Sequence, residues 1–175
     1  MRMFPAILAL LAVWISTASK ADPLPKPVDP VNFSKIIALL PVPPEGWKAP
    51  DPDGSTTDMG GFKMTTAGRT YSKGEGDDVP TVSFNVIDFA NNKQFYDATT
   101  ASWSFSQETT DGYMKSVKIG EYSGFESFDK GNKAGSLWLV VAQRFFVHIE
   151  TTNLDPTELQ KWLLMVDLKK LSALK

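Results

Sequence analysis

Cysteine is absent from this chain of 175 residues, and its absence excludes three kinds of chemistry. Disulfide bonds, thiolate catalysis and cysteine zinc sites all require that side chain. A domain of this length can bury a hydrophobic core large enough to fold without such cross-links. We therefore expect a fold that packing alone stabilises.

Histidine occurs once, at His148, and the common catalytic and nucleotide-binding motifs are missing. The chain contains neither G-x-G-x-x-G, nor G-x-S-x-G, nor a phosphate-binding loop that ends in Gly-Lys-Ser/Thr. A general base needs an orienting partner and a nucleophile within reach, and the sequence spacing shows neither for His148. We keep His148 as the candidate catalytic residue, although its polar neighbours favour its interpretation as a surface residue.

The N-terminal residues have the pattern of a secretory signal peptide. Arg2 provides the positive start, residues 4–15 form an apolar run of 12, and residues 16–21 are small and mostly polar. A bilayer-spanning helix needs roughly 20 apolar residues, so the pattern favours cleavage over a membrane anchor. We predict a signal peptide over residues 1–21, cleaved after Ala21 or Ser19, and a periplasmic or secreted protein without a stable membrane anchor.

The charge of the remaining chain argues against several classes of partner. Residues 1–21 contain two basic residues and no acidic one, so residues 22–175 carry 16 basic and 20 acidic side chains, a net charge of −4. A mildly acidic domain without a basic run is a poor candidate for binding nucleic acid or an anionic membrane. We therefore expect a protein or a small molecule as the partner, and no pattern calls for a cofactor.

The densest apolar stretch lies near the C-terminus. Residues 137–142 are apolar on both faces of an extended chain, which predicts a central strand covered on both sides. Residues 145–150 alternate in character, as in a strand with one fully buried face. A hairpin between them would turn at Ala142, Gln143 and Arg144. Because this turn lacks glycine, one long bent strand is the alternative.

A helix is predicted after these strands. Asp155 can accept a hydrogen bond from the first helical turn, Pro156 suits the first position, and Glu158 completes a capping box. An apolar stripe with helical spacing predicts a face packed on the sheet, formed by Leu159, Trp162, Leu163 and Val166.

The order of elements predicts a single α+β domain over residues 31–175, after a proline-rich lead-in over residues 22–30. Helices that do not alternate with single strands favour a largely antiparallel sheet over a nucleotide-binding fold. An N-terminal, a middle and a C-terminal helix are expected to pack on this sheet. The remaining predicted elements are a short helix capped by Asn32, strands over residues 62–71 and 79–88, a helix over residues 91–103 capped by Asn91 or Asn92, and shorter strands over residues 113–119 and 125–128.

Residues 41–61 show no periodicity and contain two candidate sites. Trp47 is a candidate ligand-binding residue because long loops often carry binding, although a tryptophan covering the edge of the core is the favoured interpretation. Asp51, Asp53 and Asp58 supply the oxygen ligands that calcium prefers. The distal glutamate of a calcium loop is missing, so a solvated acidic loop is favoured and no metal is predicted.

Four short signatures occur along the chain: the LP-x-PP-x-GW pattern of residues 40–47, Gly60-Gly61 ahead of residues 67–71, residues 140–150, and residues 166–171. Together they resemble a group of small exported bacterial proteins with no settled biochemical role. The resemblance covers most of the mature chain and carries over no catalytic residue. That group tends to have Gly-Arg at the last hairpin, where this chain has Gln143-Arg144. The element order is also similar to the α+β sandwich of PsbP and Mog1-type proteins, and such a likeness implies no function.

These observations favour an exported, soluble binding or accessory module of unknown ligand, without catalytic activity. Two alternatives stay open. One is a small extracytoplasmic hydrolase that uses His148, and the other is a calcium-dependent binding domain that uses the loop from Asp51 to Asp58.

Overall fold

The structure, a computed structural model, describes residues 28–76 and 78–175. The predicted signal peptide and residues 22–27 of the lead-in lie outside these residues. Within the described part, eight strands form one antiparallel sheet, accompanied by four short helices. The predicted α+β class with a largely antiparallel sheet is therefore confirmed.

The strands lie in the order β1-β2-β3-β8-β7-β6-β5-β4 across the sheet. In chain order they are β1 (Asp53–Asp58), β2 (Lys63–Ser72), β3 (Thr81–Asp88), β4 (Gln107–Glu108), β5 (Gly112–Ile119), β6 (Tyr122–Asp129), β7 (Ala134–Val141) and β8 (Phe145–Thr152). The helices are α1 (Phe33–Ile37), α2 (Lys93–Thr100), α3 (Thr157–Leu163) and α4 (Leu168–Ser172).

The predicted central strand is β7, which lies between β8 and β6 in the middle of the sheet. Its apolar side chains serve both faces, since Leu137 and Leu139 join the main core while Val140 and Trp138 pack in a second cluster on the other side. The run of apolar residues without alternation is explained by this double coverage.

One face of the sheet, here called the core face, carries the main hydrophobic core. On this face Phe84 of β3 lies opposite Ile149 of β8, which in turn lies opposite Leu137 of β7. Helices α1, α3 and α4 cover it with Ile36, Leu159, Trp162 and Leu171, all almost fully buried.

The opposite face, here called the open face, is covered at one end. There Phe95 and Tyr96 of α2 pack against Phe146 of β8 and Phe89 in a small aromatic cluster. Asn92 caps α2, because its side chain accepts a 2.9 Å hydrogen bond from the backbone N–H of Phe95, one of the two caps predicted. The short length of α2 leaves the other end of this face accessible.

The C-terminal helix differs from its prediction. The chain forms two helices, and Asp155 makes no side-chain capping bond; its backbone oxygen instead accepts from the N–H of Glu158. Asp167 caps α4 by accepting a 3.0 Å hydrogen bond from the N–H of Lys170, which lowers the pKa of the Asp167 carboxyl. The capping signal in this region therefore lies twelve residues later than predicted. Among the described residues, no helix is long and apolar enough to cross a membrane.

The prediction that residues 41–61 form a loop throughout is also wrong, because they contain the edge strand β1. Its side chains are mostly exposed, so its sequence lacks the alternation by which a strand is recognised. β1 pairs with β2 over its whole length, from Asp53 opposite Gly68 to Asp58 opposite Lys63.

The hairpin between β7 and β8 turns where it was predicted. Ala142 and Gln143 both have left-handed backbones, with φ of 53° and 52°, and the N–H of Arg144 bonds to the oxygen of Val141 at 3.1 Å. Two consecutive left-handed residues match the right-handed twist of a two-residue hairpin, but they are unfavourable for residues with a β-carbon.

This turn gives the first testable prediction. The double substitution Ala142→Asn/Gln143→Gly is expected to raise the free energy of unfolding by roughly 1 kcal/mol, because the pair adopts left-handed backbones at lower cost, partly offset by the entropy of glycine. Urea unfolding measures the change. Gln143→Ala keeps a β-carbon and is the control, expected to match the wild type. A less stable Asn-Gly variant would contradict this account of the turn.

A buried ion pair connects the first residues of the domain to the sheet. Asp88 at the end of β3 is fully buried, and Arg144 donates to it through Nε at 3.0 Å and Nη2 at 2.9 Å. The carboxylate also accepts from the N–H groups of Val31, at 2.8 Å, and Ala90, at 2.9 Å. Arg144 further donates to the backbone oxygen of Asp29 at 3.1 Å. These bonds join three separate segments of the chain.

Candidate functional site

A groove with a volume of about 630 Å³ crosses the open face beyond the end that α2 covers. Pockets of this size commonly bind small molecules. Its lining comes from strands β3 to β8, together with Thr109 and Asp111 between β4 and β5. The site therefore extends across the sheet from β3 to the edge strand β4.

The floor of the groove is one row of side chains that runs across six strands, here called the polar row. The pairing register places its members opposite one another in successive strands. Neighbouring strands lie about 4.8 Å apart, so five gaps give a length of roughly 24 Å. Five of the six side chains can hydrogen-bond. From β3 to β4 the members are Ser83, Glu150, Ser136, Ser127, Met114 and Gln107.

A second row borders the first, one step along the strands, and is here called the aromatic row. It consists of His148, Trp138 and Phe125, opposite one another on β8, β7 and β6. All three are partly exposed. The Trp138 and His148 rings stack with centroids 3.8 Å apart and planes at 16°. The aromatic row thus runs beside the polar row on the open face, just outside the residues that line the groove.

His148 joins the two rows. Its Nε2 lies 3.1 Å from the hydroxyl oxygen of Ser136, in a hydrogen bond, and 3.7 Å from Oε1 of Glu150. Its side chain is 14% exposed, so this histidine lies at the surface of the open face but is largely covered by its neighbours. Burial lowers its pKa, while the Glu150 carboxylate opposes that shift. A neutral imidazole near pH 7 follows from this direction.

Asn85 ends the aromatic row on β3, and its side chain is held away from the histidine. It donates to the Ser83 hydroxyl at 3.1 Å, and its Oδ1 occupies the space that a β-carbon on Gly68 of β2 would need. The absence of a side chain at Gly68 therefore lets Asn85 lie along the sheet. This arrangement also orients Ser83 at the end of the groove.

The groove is acidic. Glu150, Asp111 and Asp129 contribute carboxylates, and the described residues that line it include no lysine or arginine. The backbone N–H of Asn132 bonds to Asp129 at 3.0 Å and lowers the pKa of that carboxyl, which keeps it ionised at neutral pH. Negative groups of a ligand would be repelled here, and neutral or positive groups accommodated.

Trp47 and the three aspartates lie away from the groove. Trp47 is half-buried and packs edge-on against Trp162, with ring centroids 5.0 Å apart, on the core-face side. Its role in binding stays a prediction. Asp53 and Asp58 are the first and last residues of β1, and Asp51 precedes the strand. In the part of the chain that the structure describes, no three metal-ligating side chains come together.

Sequence reasoning missed the serines of the polar row. Ser83 and Glu150 were visible as the polar sides of two alternating strands, but nothing in the sequence indicated that they face each other. The signal that could have found the site is the recurrence of serine at polar positions of β3, β6 and β7, and it acquires meaning only with the register.

The partly buried His148 predicts a pH dependence of stability. Because its folded pKa lies below the ordinary 6.5, the unfolded chain binds the proton more readily, and stability is lost as the pH falls below about 6.5. The variant His148→Gln is expected to lose less stability between pH 7.5 and 5.5 than the wild type. Urea unfolding at the two pH values measures the loss for each protein. The contribution of the carboxylates to the pH dependence is the same in both proteins and cancels in the comparison. Equal losses in the two proteins would contradict the direction of the shift.

Comparison of the chain with protein-family models, with curated proteins and with solved structures found no significant match. The functional assignment therefore depends on the geometry of the groove.

Proposed function

We propose that the protein is an exported binding module whose ligand occupies the groove on the open face, and that it has no catalytic activity. The single observation that carries this proposal is the polar row. Its hydrogen-bonding side chains face one groove from successive strands, where a ligand can reach them. Polar groups that converge on a preformed cavity are typical of ligand sites.

The rigidity of the floor supports binding. Five of the six strands that carry the polar row are paired on both sides, and the sixth, β4, is the edge strand beside β5, so most of the row has its geometry before a ligand arrives. A site that does not have to order itself loses less free energy on association. The aromatic row adds apolar contact area beside the polar floor.

The test uses one blocking substitution and a matched control on the same strand. Ser127→Phe places a ring in the groove, whereas Ser123→Phe places the same ring on the same face of β6 outside it. Both proteins are expected to fold, because phenylalanine favours strands. The probe is the dialysable small-molecule fraction of the host's extracytoplasmic extract, and the readout is the amide spectrum of the labelled protein.

We expect the amides of Ser127, Ser136 and Glu150 to shift in the wild type. The Ser123→Phe protein should respond in the same way, and the Ser127→Phe protein should not. Unchanged groove amides in the wild type, or an equal response in the blocked variant, would refute the proposal.

One observation favours a second function, a serine hydrolase. Ser136 and His148 lie within hydrogen-bonding distance, as a nucleophile and its base do. Two features argue against it. The Glu150 carboxylate contacts the same Nε2 as the serine, whereas a triad acid orients the ring through the other nitrogen. Ser136 is also paired on both sides in the sheet, which commits the neighbouring N–H groups that an oxyanion hole would need.

A fluorophosphonate probe, which labels activated serines, separates the two functions. We expect no labelling of the native protein at Ser136, because the hydroxyl lacks an oriented base and an oxyanion hole. A known serine hydrolase is the positive control. Labelling that disappears in Ser136→Ala would restore the hydrolase and reject the binding module.

A further inference from the structure

We propose that the ligand of the groove is a short glycan of neutral or positively charged sugars that lies across the strands along the polar row. This inference rests on the proposed function, since it names the ligand of the same site. Three observations carry it: the spacing of the polar groups in the groove, the charge of the groove, and the rings of the aromatic row beside it.

The spacing fits a chain of sugars. The row presents one side chain per strand, at intervals of about 4.8 Å. This interval is close to the length of one pyranose unit in an extended chain, so successive sugars can meet successive strands. Hydroxyl, carboxylate and amide groups exchange hydrogen bonds with sugar hydroxyls, which both donate and accept. Ser83, Glu150, Ser136, Ser127 and Gln107 are groups of these kinds.

The position of the rings suits the same ligand. A pyranose has an apolar face of C–H groups and a polar rim of hydroxyls, so it is best bound by a ring beside hydrogen-bonding groups. Trp138 and Phe125 stand two residues along their strands from Ser136 and Ser127, on the same face. Both rings lie just outside the lining of the groove, and one face of Trp138 stacks on His148, so a sugar on the polar row would meet the rings at their exposed edges.

The charge of the groove selects among glycans. Its three carboxylates, on Glu150, Asp111 and Asp129, would repel uronic acids, sialic acids and phosphorylated sugars. Amino sugars with a free ammonium group would gain a charge-assisted hydrogen bond. The same charges exclude nucleic acids and free phosphates.

An extended peptide fits less well. Peptides commonly bind a sheet by adding a strand at its edge, where backbone groups are free. The groove lies mostly over inner strands, β3, β8, β7, β6 and β5, whose N–H and C=O groups pair with neighbouring strands, and it reaches the edge strand β4 only at Gln107. A peptide here would have to leave its own backbone unsatisfied or bonded to side chains alone.

The test is isothermal titration of the full mature chain with four probes. They are chitotriose with and without its N-acetyl groups, trigalacturonic acid as the anionic sugar, and trilysine as the cationic peptide. We expect both chitotrioses to bind, and trigalacturonic acid to bind at least about tenfold more weakly because of charge repulsion. Binding should be lost in Ser127→Phe and kept in Ser123→Phe.

Glu150→Gln refines the test. It should weaken binding of the deacetylated trimer by about tenfold, the usual loss when a charged hydrogen bond is removed, and affect the acetylated trimer less. Glu45→Gln, an exposed carboxylate outside the groove, is the matched control and should change neither affinity.

Each other outcome overturns the inference in a recognisable way. If no glycan binds while the host extract still shifts the groove amides, the ligand class is wrong and the binding function stands. If trilysine or trigalacturonic acid binds in place of the chitotrioses, the groove belongs to basic peptides or acidic sugars. If the extract also fails, both proposals fall.

Discussion

Replacing Asp88 with asparagine is expected to lower the free energy of unfolding by about 3–5 kcal/mol, the usual cost of breaking a buried ion pair from one side. The carboxylate is fully buried and accepts four hydrogen bonds, two of them from Arg144. An amide can accept at only one of its two ends, so its NH₂ group would face N–H donors. The Arg144 guanidinium, 14% exposed, would lose its counter-charge.

Urea unfolding with a matched control isolates this effect. Asp97→Asn removes a carboxylate of the same size from an exposed pair with Lys93 on α2, and it is expected to cost less than about 0.5 kcal/mol. Arg144→Met should approach the cost of Asp88→Asn, since it leaves a buried carboxylate unpaired. The double variant should cost less than the sum of the two. An Asp88→Asn protein as stable as Asp97→Asn would show that the pair contributes little to folding.

Trp162→Ala is expected to destabilise the protein by about 3–5 kcal/mol, the range for removing a large aromatic side chain from a core. Trp162 of α3 is 1% exposed. The centroid of its ring lies 4.6 Å from the ring centroid of Tyr71 on β2 and 5.0 Å from that of Trp47. The substitution would open a cavity between the helix, the sheet and the loop.

The neighbouring Leu164 supplies the control for this experiment. Leu164 is 81% exposed, so Leu164→Ala should change the free energy of unfolding by no more than about 0.5 kcal/mol. Both variants are measured by chemical unfolding, with circular dichroism as the probe because it does not depend on tryptophan. Similar costs in the two variants would mean that α3 contributes little to the core.

The central hairpin could be predicted because burial leaves a direct record in sequence. A strand covered on both faces must be apolar throughout, as residues 137–141 are, and a strand with one polar face must alternate, as β3 does. The weak point was the turn. Both turn residues, Ala142 and Gln143, have left-handed backbones, but neither is the glycine or asparagine that usually signals this conformation. The neighbouring Arg144 binds Asp88, which is distant in sequence, so local pattern could not reveal this contact.

The break in the C-terminal helix could not be predicted from local pattern, because the stripe from Leu159 to Val166 continues smoothly. In an unbroken helix Leu171 would lie roughly 140° around the axis from Val166. The new start at Asp167 redirects the chain, so that Leu171 is fully buried in the core. The burial of Leu171, which lies beyond the stripe, therefore accounts for the break between α3 and α4.

The candidate site was hidden for a similar reason. Alternation in residues 81–88 and 145–150 indicates which side chains face away from the core, and it places Glu150 on the same face as His148. The alignment of Ser83, Ser127 and Ser136 depends on the register of four strands, and each register is set by turns and core contacts elsewhere. A row that crosses strands has no signature along the chain.

The free edge of β1 bears on how this protein behaves when it is concentrated. β1 pairs with no described strand other than β2, which leaves its outer backbone groups able to recruit another chain. Suppose that the β1 strands of two molecules paired antiparallel and overlapped over their whole length. Asp53 of each molecule would then lie opposite Asp58 of the other. Like charges directly opposite are destabilising. The two aspartates thereby act as gatekeepers against growth of a continuous intermolecular sheet, the first step toward fibres.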